Sequence, residues 1–107
     1  MQRGEFYRLR RPPNDTKPRR VVLIVSRNEF IGSGYSTVAV VPVSSASTGV
    51  NTEVLVGPEN GLTHQSFLRC DEITSVQKSR LTDFVGTATT AQLAELEIAL
   101  ALALDIG

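Results

Sequence analysis

Val21-Val22-Leu23-Ile24-Val25 is an unbroken, mostly β-branched apolar run. A strand with one wet face alternates apolar and polar residues, whereas a run like this one belongs to a strand covered on both faces. The chain must therefore build a sheet with material packed on each side. Thr37-Val38-Ala39-Val40-Val41-Pro42-Val43-Ser44 reads as a second buried strand. Pro42 cannot donate to a ladder, so that strand needs an edge or a bulge near its end. Weaker strand signals follow the same pattern at Glu5–Arg10, at the alternating Thr52–Val56, at Ser66–Cys70 and at Leu81–Val85.

Loops separate these runs. Arg11 to Pro18 holds three prolines with an Asn14-Asp15 turn signal, and Asn28 to Ser36 holds Gly32 and Gly34. Asn60-Gly61 closes the fourth strand with a strong turn pair. The period changes after Thr89. Thr89 and Gln92 fit the N-cap and third position of a capping box, and Leu93, Leu96, Leu100 and Leu104 then recur at helical spacing. Ile98 and Leu102 point to another side, so the apolar surface exceeds what one sheet face requires. The helix lies deep in its own domain, or part of it meets a partner. Five to seven short strands and a closing helix, without room for parallel crossover helices, predict a barrel-like or strongly curved sheet. The 107 residues amount to one domain, 1–107.

The formal net charge of +0 conceals an asymmetry. Up to Arg27 there are eight Lys/Arg against two acids, for +6, and the rest carries three bases and nine acids, for −6. A concentrated basic segment of this kind can hold a polyanion, and charge alone fits a solvated basic edge equally. Cys70 is the sole cysteine, which excludes an internal disulfide and suits a reducing, cytoplasmic setting. One His and one Cys also exclude a His/Cys zinc cluster within one subunit. Met1–Arg11 is too rich in Arg for a secretion signal, and no apolar run approaches the ~20 residues that span a bilayer.

Several segments in this order resemble the MazF/PemK-like toxins. Arg3-Gly4-Glu5-Phe6-Tyr7 resembles the family's opening Arg-Gly-acid-aromatic stretch, and Arg20-Val21-Val22-Leu23-Ile24-Val25-Ser26 its Arg-Pro-apolar strand. Thr37–Ser44 is similar to the next strand, which ends in Thr or Ser. Arg69-Cys70-Asp71-Glu72-Ile73, Ser79-Arg80-Leu81 and Val85-Gly86 resemble the later signature, and the Leu/Ala-rich helix the family's last element. The resemblance implies a mainly β fold with a C-terminal α-helix, an SH3-like small barrel of the MazF/CcdB-like kind, assembled as a homodimer. It implies the toxin of a type II toxin–antitoxin system: an mRNA interferase that cuts single-stranded RNA without a cofactor or metal and is silenced by a cognate antitoxin. Two departures stand out. Val21 replaces the usual Pro, which an extended backbone tolerates. Glu72 stands where Gln is common, and its charge beside Asp71 works against RNA binding or against carboxylate ionisation.

Carried over residue by residue, the resemblance implies catalytic roles for Arg20, Ser44, Asp71 and Arg69. RNA supplies its own nucleophile, because the 2′-OH can attack the adjacent phosphorus, so positioning and charge stabilisation suffice. The Arg20 guanidinium matches two phosphate oxygens, and Ser44 adds a short hydroxyl donor. Asp71 takes the 2′ proton, and Arg69 shares its face if that stretch stays extended. Lys17 and Arg19 contact neighbouring phosphates, Asp15 is the nearest match to an acidic loop position of the family, Phe30 or Tyr35 stacks on a base, and His64 touches RNA from its loop. Cys70 alternates away from its neighbours as a buried small hydrophobe. Two other readings stay open: a CcdB-like gyrase inhibitor with the same organisation, and a noncatalytic SH3-like binding module.

Overall fold

The computed structural model describes residues 1–11, 13–14 and 20–106. Among the described residues there are seven strands: β1 (Glu5–Leu9), β2 (Arg20–Ile24), β3 (Thr37–Ser44), β4 (Glu53–Val56), β5 (Ser66–Arg69), β6 (Thr74–Gln77) and β7 (Leu81–Thr87). A one-turn helix α1 (Asn28–Ile31) joins β2 to β3, and α2 (Thr90–Ala103) follows β7. The unbroken run in β2 behaves as its composition requires. Leu23 and Val25 enter a core with Phe6, Val41, Val54, Leu68 and Leu96. Val22 and Ile24 enter a second core on the other side, with Ile31, Val38, Val40 and Val76. Period-2 geometry divides the residues between two apolar layers, so both faces of β2 are dry from Val22 onward.

All pairings are antiparallel, in the order β4-β5-β3-β2-β1-β7, with β6 pairing the first half of β3. β3 changes partner along one edge: Thr37–Val40 pair with β6, and Val43–Ser44 with β5. Pro42 falls in the gap between those ladders, where a missing N–H costs least. The sequence places a discontinuity at this point, and the structure supplies it as a change of partner.

The sheet is open, and the expected SH3-like barrel is corrected on this point. β4 and β7 end the strand order and do not pair with each other among the described residues. A 3₁₀ turn, Pro58–Asn60, occupies the space between them. The Asn60 side chain accepts from Gly57 N–H beyond the end of β4 at 3.0 Å and donates to the Thr87 carbonyl of β7 at 2.9 Å. A side-chain amide thus does the joining that a closing ladder does in a barrel, and α2 lies against the β4 side of the gap.

The capping box of α2 forms as expected. Gln92 N–H donates to Thr89 Oγ1 at 3.1 Å, and Thr89 N–H to Gln92 Oε1 at 2.9 Å. Leu96 and Ala99 are buried, whereas Ile98, Leu102, Leu104 and Ile106 are exposed. The sequence missed α1, which it reads as loop, and β6, whose Thr-Ser-Val-Gln composition shows a single buried position, Val76. No described helix is long and apolar enough to cross a membrane.

Candidate RNA-cleavage site

Register determines which chemistry meets. β2 and β3 pair with Val22 opposite Pro42 and Ile24 opposite Val40. Continued two residues outward, this register brings Arg20 and Ser44 face to face at the open end of the pair. They line a single cleft of about 630 Å³ with Arg8, Arg11, Thr63, His64 and Ser66. β1 contributes Arg8, which lies opposite Val21 and next to Arg20 in the ladder. The wall with Thr63 and His64 comes from the segment between the 3₁₀ turn at Pro58–Asn60 and β5. Three guanidiniums around one concavity concentrate positive potential there. Val21, Val43 and Leu62 supply the apolar part of the lining.

The cleft's polar groups differ in how they are held. Arg20 is exposed, and among the described residues no hydrogen bond or ion pair engages its guanidinium. Ser44 Oγ is tied locally: it donates to the Ala46 carbonyl at 3.3 Å and accepts from Ala46 N–H at 3.2 Å. That local pairing fixes the hydroxyl at the strand end while leaving it within the cleft lining.

Arg69 and Asp71 lie in a neighbouring hollow with Thr48, Thr52, Glu53 and Glu72. The expected extended stretch is absent: β5 stops at Arg69, and Cys70–Glu72 form a 3₁₀ turn. The two residues share a hollow because the chain turns. Arg69 Nη1 donates to Glu72 Oε2 and Nη2 to the Ala46 carbonyl, each at 3.0 Å. Thr52 Oγ1 donates to Asp71 Oδ2. Ser44 and Arg69 therefore bond the same Ala46 oxygen from two sides, which makes the hollow an immediate neighbour of the cleft. Glu72, the departure noted in the sequence, partly neutralises Arg69. Cys70 is fully buried, and burial, with the Asp71 charge adding to it, pushes its thiol up to about 11.

The remaining sequence candidates separate. Phe30 and Tyr35 stack on each other with centroids 4.8 Å apart, and Arg27 lies over Phe30 at 6.0 Å. They occupy the connection between β2 and β3, at the far end of that strand pair from Arg20 and Ser44, so they do not join the cleft. Asp15, Lys17 and Arg19 lie outside the described residues. Arg8 and Arg11 are the cleft cations that sequence reasoning did not single out; their signal was the basic segment itself, and only strand pairing shows which members of it converge.

Residues 2–104 match the model of the PemK-like, MazF-like toxins of type II toxin–antitoxin systems. The chain belongs to that family. Among solved structures it is similar to the Mycobacterium tuberculosis toxin MazF-mt6, at 26% identity over 96% of this chain and 98% of that one, with a TM-score of 0.84. A mycobacterial endoribonuclease in complex with its cognate antitoxin is 28% identical over 100% and 97% of the two chains, with a TM-score of 0.84. An Mtb toxin is 31% identical over 78% and 91%, with a TM-score of 0.73. No curated protein sequence matches the chain significantly. That family match favours the MazF-type toxin over the two other readings, the gyrase-type toxin and the noncatalytic module.

Proposed function

We infer that this member of the toxin family is a metal-independent endoribonuclease that cuts single-stranded messenger RNA, with Arg20 and Ser44 as its phosphate clamp. The observation that carries the reading is the meeting of an unengaged guanidinium and a fixed hydroxyl across β2 and β3, inside a cleft walled by further cations. The scissile phosphate lies between them. As the ribose 2′-OH attacks phosphorus and the 5′-oxygen leaves, negative charge grows on the phosphoryl oxygens. Arg20 answers it with two parallel donors and Ser44 with one. The products are a 2′,3′-cyclic phosphate and a 5′-hydroxyl. Asp71, one hollow away, takes the 2′ proton, a water molecule from solvent protonates the departing 5′-oxygen, and Arg69 offsets the charge on that side. Asp71 Oδ2 accepts from Thr52, whereas Arg69 is bound to both Glu72 and Ala46.

The biological setting follows from the same reading. Residues 1–107 act as one toxin domain, working as a homodimer in the cytoplasm, where the single thiol stays reduced. The mycobacterial relative's complex with its antitoxin supports a cognate antitoxin for this chain. An acidic segment of that partner competes with RNA for the cluster of Arg8, Arg11 and Arg20. Lys17 and Arg19 extend the phosphate track, and His64 contacts the nucleotide that leaves the cleft.

The test is cleavage of a mixed single-stranded RNA pool, without added metal, by wild type and Arg20→Ala. Loss of the clamp lowers kcat/KM by about a hundredfold or more, with an unchanged melting temperature because Arg20 is exposed and unengaged. Cyclic-phosphate ends on the wild-type products support the chemistry. Full activity in Arg20→Ala refutes it.

A further inference from the structure

Asn60 is a polar side chain at 1% exposure, between two sheet edges that do not meet. Its amide is fully used. Nδ2 donates to the Thr87 carbonyl at 2.9 Å and to Gln92 Oε1 at 2.7 Å; Oδ1 accepts from Gly57 N–H at 3.0 Å and from Gln92 Nε2 at 3.2 Å. Asn60 and Gln92 thus form a reciprocal amide pair. Gln92 also reaches the Leu55 carbonyl and Glu59 Oε1, each at 3.2 Å, and closes the α2 capping box. Backbone contact reinforces the pair. A Cβ on Gly86 would lie 2.0 Å from the Asn60 oxygen, and one on Gly61 2.2 Å from the Val85 oxygen. The turn is pressed onto β7 at the point where the chain departs for Leu62, Thr63 and His64.

We propose that Asn60 and Gln92 are positioning residues for the RNA cleft: their amide pair anchors the turn from which the Leu62–His64 wall extends toward Arg20 and Ser44. This rests on the endoribonuclease reading. The two sides of the cleft are held by different means. Arg20 and Ser44 belong to paired strands whose register is secured by two cores. The opposite wall belongs to no strand until Ser66, and its upstream anchor is this buried amide pair. Buried, fully satisfied amides are directional and define one geometry, whereas an apolar contact would let the turn slide. The helix cap and the substrate wall are therefore set by the same side chain.

Gln92→Glu separates the two tasks. Glutamate is itself a good third residue of a capping box, so it keeps the bond from Thr89 N–H. It loses the Nε2 donor to Asn60 and Leu55 and brings a charge against Glu59. Thr89→Ala does the reverse, removing the cap hydroxyl and sparing the amide pair. His64 is the only histidine in the chain, so its ring resonances report the wall without assignment ambiguity. The measurements are His64 ring NMR shifts, circular dichroism, and steady-state cleavage of a labelled single-stranded RNA pool. In Gln92→Glu the helix signal persists, the His64 resonances move, and KM rises about fivefold while kcat changes little, since the clamp stays in place. In Thr89→Ala the melting temperature falls, and the His64 shifts and KM stay at wild-type values.

Unmoved His64 resonances with unchanged KM in Gln92→Glu overturn the proposal, as do equal changes in Thr89→Ala. If Gln92→Glu does not fold, Asn60→Ser carries the same comparison. Wild-type protein that cuts no RNA defeats the nuclease reading instead, and the His64 shifts still decide whether the amide pair sets the wall.

Discussion

Replacing Gly86 by Ala tests the open-sheet closure directly. The added methyl carbon would stand 2.0 Å from the Asn60 carbonyl oxygen and 2.7 Å from its carbon. Ordinary contact begins near 3.4 Å, so the two backbones must separate by more than an ångström. Neither has slack. The Asn60 side chain is held by four hydrogen bonds, and Gly61 meets the Val85 oxygen in the same way from the other direction. Relief requires either moving the turn off β7 or distorting β7 beside its pairing with Phe6. Forcing an extra methyl into a site walled by backbone costs about 3 kcal/mol. For a domain of this size that corresponds to a fall in Tm of about 15 °C. Thermal melts followed by circular dichroism measure it. Gly32→Ala is the control: its new Cβ would be 3.6 Å from the nearest atom, the Asn28 oxygen, and it leaves Tm within a few degrees of wild type. A Gly86→Ala protein that melts with the wild type would show that the turn slides freely, and the account of how the sheet ends are joined would be wrong.

Two further outcomes follow from side-chain ionisation. Glu53 accepts from the backbone N–H of Thr48 and also from Ser47, Thr48 Oγ1 and Gly49, which together hold its carboxyl below its ordinary range despite some desolvation. A depressed folded-state pKa stabilises the loop in full above the ordinary carboxylate value and loses that contribution as pH falls through the folded one. Protection of the Thr48 and Gly49 amides, measured relative to intrinsic exchange rates, should therefore fall in wild type as the Glu53 carboxylate is protonated on acidification, and a Glu53→Gln loop should show no such step. For Cys70, a thiol raised to about 11 and fully buried stays protonated at pH 8, so a thiol reagent reacts only as fast as the protein opens. Rapid labelling of native protein at that pH would contradict its place in the core.

Some of this molecule is legible one residue at a time. The unbroken run at Val21–Val25 demands a strand dry on both faces, and the structure divides it between two cores. Thr89 and Gln92 announce the helix start, because a capping box is a local arrangement of adjacent residues. The break at Pro42 is legible too, since a missing donor is a property of the residue itself. Convergence is another matter. That Arg8 joins Arg20 and Ser44 depends on β1 and β3 flanking β2 in particular registers, and the alternation that predicts a strand says nothing about its neighbour. Phe30 and Tyr35 have the right chemistry to stack on a base, yet their place at the far end of the strand pair removes them from the cleft. The expected barrel failed for a related reason. Closure depends on whether two edges meet, and here a turn with a buried amide, backed by two glycines distant in sequence, fills the space first. Local propensity and period are written in the order of residues; which strands adjoin, and which side chains thereby face one another, is settled only by long-range packing.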